Sequence, residues 1–393
     1  MRLLKVTTAY PSYWKGFYAA RPGLELKGYV EQKAALDFDG FGWADFWSRA
    51  FKARGWEALD LTAMVEPLDD AFRRDEAAAG LAALEICALQ VKRFAPDVLW
   101  VDDYNNFSPA WIRELRAACP SIRLVLGWCG APYPDAKAFA AYDLILSCVP
   151  ELVADFRSQG MTAEPLMHAF EPDMLRRLGP LPARDISFSF VGQVLKGNRY
   201  HESRQQLLEF LVARTPLELY MPAKAHGPAA ALKHGVKLGF WGLKRMGLPV
   251  PAKVAAWRSA PAWEHIAALE PRRKGEVYAL EMARVMARSR LTLNKHIDLS
   301  ANSASNMRLF ESTGMGACLL TDAKANLAAI FEPGKEVIAY DSAQDCAEKA
   351  AWLLSHDAER EAIAAAGQAR TLRDHTIEKR AELLEAMILE RLA

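Results

Sequence analysis

Apolar and polar positions along the chain fall into short apolar runs separated by longer amphipathic stretches. LLKVTT near the start reads as a buried strand. WADFWSRAFKARG (43–55) repeats its large apolar residues at helical spacing and closes on a glycine, and EALDL gives the next strand. The same alternation predicts a helix over 75–94, a strand DVLWVDD (97–103) and a helix over 108–118. It continues with IRLVLGW (122–128), a helix over 134–141, DLILSC (143–148) and the helix PELVADFRSQG (150–160). Strand and helix in this rhythm predict a parallel sheet covered on both faces. Ligands in such sheets sit at the carboxyl ends of the strands, where Tyr10, Asp102, Asp103, Trp128 and Cys129 fall.

The texture turns polar and proline-bearing over PDMLRRLGPLPARD (172–185), the expected interdomain linker. A second alternating unit then begins with DISFSFVGQ (185–193), a helix over 202–214 and LELYM (217–221). A helix over 276–288, RLTLNKH (290–296), the helix of NMRLFESTG, ACLLTD and EVIAY (336–340) follow, and helices close the chain. There is no internal repeat and no low-complexity tract. The expected class is α/β, with two doubly wound units in tandem.

Within that second unit Met307, Phe310 and Gly314 mark the inward face of a helix, and Glu311 shares their stripe. A carboxylate on a core-facing stripe is costly unless something pairs with it, either a neighbouring arginine or a ligand.

Composition adds bounds. The chain of 393 residues, 51% hydrophobic and 25% charged, suits two domains with ample cores. A net charge of +1 gives no support to nucleic acid as a partner. Six scattered cysteines without CxxC spacing read as buried hydrophobes in a reducing compartment, and the N-terminus lacks a signal-peptide pattern, so a cytoplasmic location is expected. One segment departs from the balance. Between 219 and 263 there is no acidic residue, while Lys224, Lys233, Lys237, Lys244, Arg245, Lys253 and Arg258 are interleaved with Phe240, Trp241, Trp257 and Trp263. Such a segment suits an anionic membrane surface at the inner face, or a diphosphate-linked lipid; the plainer reading is an inserted helical hairpin with a solvated charged face.

The string N-x-R-x-F-E-x-x-x-x-G, the LLTD strand, IFEPGKEVIAYDS and H-T-x-x-x-R (375–380) resemble the C-terminal domain of the CgeB-like, spore-maturation-type glycosyltransferases of the GT-B group. The resemblance spans roughly 185–385 and implies a GT-B fold of two Rossmann-like domains facing a cleft. The divisions expected are 1–180 for an acceptor domain, 181–375 for a nucleotide-sugar donor domain, and 376–393 for a helix crossing back to the first domain. It also implies that Glu311 takes the ribose hydroxyls of a sugar nucleotide, for which a carboxylate's two acceptor oxygens are suited. Ser303, Ser305 and Asn306 are good helix-capping types, and with Lys295 and Arg308 they are the expected diphosphate partners. Gly192, after a strand, permits close backbone approach, and Tyr278 lies where a base would stack. Ser303 stands eight residues before Glu311, where the better-known E-x7-E signature has its first Glu, so the extra carboxylate that such enzymes place near the sugar is absent.

For the proton acceptor of an inverting transfer the candidates are Asp39, Asp103 and His168, with Asp37 and Asp102 on neighbouring cleft loops. No G-x-S-x-G elbow and no G-x-G-x-x-G after either first strand occurs. The expected function is metal-independent and cofactor-free transfer of a sugar from a nucleoside diphosphate sugar to a glycan, lipid-linked or protein acceptor in surface glycoconjugate synthesis. Two alternatives stay open: a nucleotide-sugar 2-epimerase-type isomerase, which would turn over without acceptor, and a non-catalytic scaffold of the same fold.

Overall fold

The computed structural model describes all 393 residues except 134, 181, 182, 197, 199, 224, 258, 259, 262 and 301. The first parallel sheet contains β1 (Arg2–Thr8), β2 (Glu57–Ala63), β3 (Val98–Val101), β4 (Leu124–Trp128), β5 (Leu144–Ser147) and β6 (Ala163–Pro165), in the order β2-β1-β3-β4-β5-β6. β1 is central, with Leu4 in register with Leu59 on one side and Leu99 on the other. Its residues Leu3, Leu4 and Val6 are wholly buried, as strands covered on both faces require.

The second sheet contains β7 (Ile186–Val191), β8 (Leu217–Tyr220), β9 (Ser289–Asn294), β10 (Cys318–Asp322) and β11 (Ile338–Tyr340), in the order β11-β10-β9-β7-β8 and again parallel. The α/β, doubly wound reading therefore holds in both halves. One apolar cluster runs continuously between them. It joins Trp43, Trp47 and Trp100 of the first unit, through Phe170, to Leu309 and Phe310 of the second.

The chain passes between the sheets twice, and the passages are tied together. Phe170 N–H donates to His375 O at 2.8 Å, and Ile377 N–H donates back to Phe170 O at 3.0 Å. The final helix, Ile377–Leu392, is capped by Thr376 and lies on helix Phe46–Ala53 of the first unit. There Trp56 Nε1 donates to Glu385 at 2.6 Å.

Several elements differ from expectation. The helix expected over 75–94 begins only at Ala83 and runs to Phe94, because Ala77 and Gly80 take φ of +49° and +87°, outside the helical region, and a separate helix, Glu66–Asp75, precedes it where none was expected. The helix expected over 134–141 is one short turn, Ala136–Phe139. The linker 172–185 contains a helix, Asp173–Leu178. Helices Pro11–Ala19 and Tyr29–Asp39 follow β1 in a stretch where the apolar pattern gave no element. The basic segment forms helix Pro228–Arg245, with no buried residue, folded against the short helix Ala252–Ala255. Its Lys224 and Arg258 lie outside the described residues.

Candidate functional site

The carboxyl ends of β9 and β10 carry a tightly bonded polar group. His296 Nε2 accepts the Ser305 N–H at 3.1 Å, so its other nitrogen bears the proton and donates to Asp322 Oδ1 at 2.7 Å. Burial alone would raise the Asp322 carboxyl. The His296 hydrogen bond and the charges of Lys295 and Lys324, at 3.1 and 3.3 Å, hold it well below the usual carboxylate range. This network pins the loop 295–306 and leaves Lys295 and Lys324 beside one carboxylate. Ser305 Oγ bonds Ser300 Oγ at 2.8 Å. Asn306 Nδ2 donates to Asn294 at 2.7 Å, while its Oδ1 is buried without a partner among the described residues.

Helix Arg308–Gly314 follows. Arg308 donates to Val191 O at 3.0 Å and, through Nη1, to Glu311 Oε2. Glu311 is thus paired with its own neighbour and also lines a cavity between the two units, together with Trp43, Phe170, Glu171, Met282 and Met307. The stripe position that raised the question in the sequence faces this interdomain cavity.

The other sequence candidates fall in different places. Gly192 ends β7, and a Cβ there would lie 2.9 Å from the Phe190 ring, so this glycine is required by its own strand's side chain. Tyr278 closes one rim of the cleft: its hydroxyl meets Ser12 Oγ at 2.8 Å, and its ring lies against Tyr13 and Phe41 at 5.8 and 5.7 Å. Asp39 accepts from Tyr13 at 2.9 Å and from Arg21 at 3.2 Å, and burial raises its pKa against those donors. Asp103 accepts from Thr8 and from the backbone of Asn105 and Asn106, a local turn cap. Asp102 pairs with the wholly buried Lys5 at 2.7 Å, and Asp37 with Lys33 on its own helix. His168 lies 5.1 Å from the Trp128 ring with a buried, unpartnered Nδ1; burial, then Arg380 and Arg308, lower its pKa to about 3.

Two carboxylates in the cleft were not singled out in the sequence. Glu171, on the crossing segment, is 5% exposed, and burial with Glu378 and Asp173 nearby pushes it up to about 7 against Arg49 and the Asp173 N–H. Glu151, in the first turn after β5, accepts from Ser303 Oγ at 3.0 Å between the two units, and its Oε2 is buried without a partner among the described residues. Its place at a strand's carboxyl end was the available signal, masked because an acid in a first helical turn normally needs no further reason. Among the described residues His226, His265 and Glu270 bring potential metal-ligand atoms within 4.8 Å of one another. Arg273 already donates to that Glu270 carboxylate at 2.8 Å, placing a cation beside it.

Residues 214–386 match the family model described as Glycosyl transferase-like. No curated protein matches the sequence. Among solved structures the chain is similar to Anabaena Alr3699/HepE in complex with UDP and glucose, at 11% identity and TM-score 0.56, covering 99% of this chain and 100% of that one. It is also similar to sucrose-phosphate synthase from Thermosynechococcus elongatus (11%, TM-score 0.52, 99% and 98% covered) and a glycosyltransferase from Rickettsia africae (10%, TM-score 0.53, 100% and 98%). The chain therefore has the two-domain GT-B fold, and it is a glycosyltransferase.

Proposed function

We propose that this is a CgeB-like glycosyltransferase, acting without a metal ion or other cofactor, that takes its sugar from a nucleoside diphosphate donor held against the second sheet. The observation that carries the reading is Glu311, a carboxylate on a core-facing stripe that opens into the interdomain cavity within the segment 214–386. Its two oxygens suit the cis-diol of a ribose, and Arg308 fixes its orientation. Lys295 and the Ser305 hydroxyl on the adjoining loop, with Arg308 at the start of the helix, lie where a diphosphate needs positive charge and donors, and Asn306, its Nδ2 held by Asn294, lies between them. Tyr278 stands at the rim for the base, and Gly192 ends the strand beside Arg308. The UDP and glucose bound to the Anabaena protein of the same fold support a sugar nucleotide as ligand.

On this reading the acceptor binds the first sheet's loops, and the group that takes its proton comes from the same loops. Asp39, Asp103 and His168 remain the sequence candidates for that group, each with the partners described above. The basic hairpin within 219–263 favours a lipid-linked or surface-glycan acceptor, reached from the cytoplasmic face of an anionic membrane. No helix among the described residues is long and apolar enough to cross a membrane.

A thermal-shift screen of UDP, GDP, CDP, dTDP, CMP and their sugar conjugates tests the donor site. A ligand tenfold above its Kd stabilises the native state by about 1.4 kcal/mol. Wild type should respond to one nucleotide family and Glu311→Ala should lose the response. Silence from wild type across the panel would replace this reading with the non-catalytic scaffold.

A further inference from the structure

The loop before helix Arg308–Gly314 reaches over to the first unit. Leu299 packs onto the cluster of Phe139, Leu152 and Phe156, and Ser303 Oγ donates to Glu151 Oε1 at 3.0 Å. Glu151 sits at the second position of helix Pro150–Ser158, directly after the carboxyl end of β5, so it belongs to the wall facing the donor loop. One of its oxygens is used by Ser303. The other, Oε2, is buried and has no donor among the described residues.

A buried carboxylate oxygen left without a donor gives up its hydration with nothing in exchange. Within the same loop, three residues after Ser303, Asn306 holds a second such atom: its Nδ2 is committed to Asn294 and its Oδ1 is buried and unpartnered. Both orphan atoms are acceptors, one in each unit, so a ligand that satisfies either must bring hydrogen-bond donors. Phosphate, which is all acceptor at neutral pH, does not qualify. The hydroxyl groups of a sugar do.

We propose that Glu151 receives a hydroxyl group of the transferred sugar, making it a specificity residue supplied by the first domain. This rests on the donor-site reading above and deepens it. The bond from Ser303 fixes the Glu151 rotamer, so the free oxygen is already oriented before a donor enters. Because a site built to bond a hydroxyl discriminates strongly against ligands that lack it, the sugar part of the ligand should feel Glu151 and the nucleotide part should not.

The test is isothermal titration of wild type, Glu151→Gln and Glu151→Ala with UDP and UDP-glucose, or with the diphosphate and sugar conjugate that the thermal-shift panel selects, together with melting curves of the ligand-free proteins. Glu151→Gln should weaken the sugar conjugate about tenfold or more, with the free diphosphate within about twofold of wild type. The ligand-free melting temperature should stay near that of wild type, since Gln keeps the oxygen that accepts from Ser303. Equal losses on both ligands, or a lowered ligand-free melting temperature without ligand selectivity, would make Glu151 a domain latch and overturn the inference. If the diphosphate binds and the conjugate is indifferent to Glu151, the inference alone falls. If no diphosphate binds wild type, the donor-site reading falls and takes this one with it.

Discussion

Glu171 places a titration near neutrality inside the cleft. Its carboxyl would release its proton near 4.5 in the unfolded chain and holds it to about 7 in the fold. The native state therefore binds more protons between those values. The stability linked to this proton is complete below about 4.5 and is lost as the pH rises through 7. A shift of that size corresponds to about 3 kcal/mol at most, and the 5% exposure of Glu171 leaves little solvent to screen it. Glu171→Gln removes the ionisation while keeping an acceptor for the Asp173 N–H. Urea unfolding at pH 5 and pH 8 should show the variant gaining on wild type at the higher pH. Parallel pH curves for the two proteins would refute it. His168 shows the opposite environment: with its pKa near 3 it is neutral across that range, and so weakly basic a ring suits contact with rings and hydroxyls better than proton abstraction.

At the scale of elements, the hairpin of helix Pro228–Arg245 is the least integrated part of the second unit. Leu232 and Val236, four residues apart, are 72% and 52% exposed, and Lys233 and Lys237 form the adjoining stripe at the same spacing. Apolar and basic stripes side by side are the pattern of a helix lying in an anionic lipid interface, each cation contributing about 1 kcal/mol. Lys233→Gln/Lys237→Gln should reduce retention on phosphatidylserine-containing vesicles at low salt by roughly thirtyfold, with nucleotide-induced thermal shifts unchanged. Wild type that floats free of such vesicles would restore the solvated-hairpin reading. Lys244 is different, since it donates to Ala255 O at 2.6 Å and closes the hairpin itself.

For the whole molecule, the relation of the two sheets depends on how closely the crossing segment approaches helix Arg308–Gly314. A Cβ on Gly314 would sit 2.4 Å from Phe170 Cγ, and Phe170 is held on both sides by the backbone bonds to His375 and Ile377. Its backbone is fixed, so any relief must come from the ring turning toward the cavity it lines. Gly314→Ala should cost about 3 kcal/mol, at the upper end of overpacking effects, and small-angle scattering should report a changed domain arrangement. A variant with wild-type melting temperature and scattering would show that the crossing is slack. Gly314, inside the E-x-x-x-x-G string that ends on Gly316, thus has a packing reason, separate from any ligand.

The order of strands and helices was legible because apolar period and turn residues are local: every strand except β6 falls within or against an apolar run, whereas β6 (Ala163–Pro165) is the polar tripeptide AEP and gave no such signal. The break at 76–82 was not, because Ala77 takes a positive φ that no residue type there announces. Glu311 stood out because its helix neighbours define a face, whereas Glu171 looks ordinary in AFEPD and Glu151 looks like a first-turn acid. What made those two notable is distance in space: Glu151 meets Ser303 across 152 positions of sequence, and Glu171 shares a cavity with Glu311. By itself the sequence determined the two doubly wound sheets, the basic segment and the helix carrying Glu311, since periodicity and charge need only near neighbours. Only the tertiary structure decided which polar atoms are partnered and which are left over, because burial and hydrogen-bond satisfaction are properties of groups brought together from distant parts of the chain.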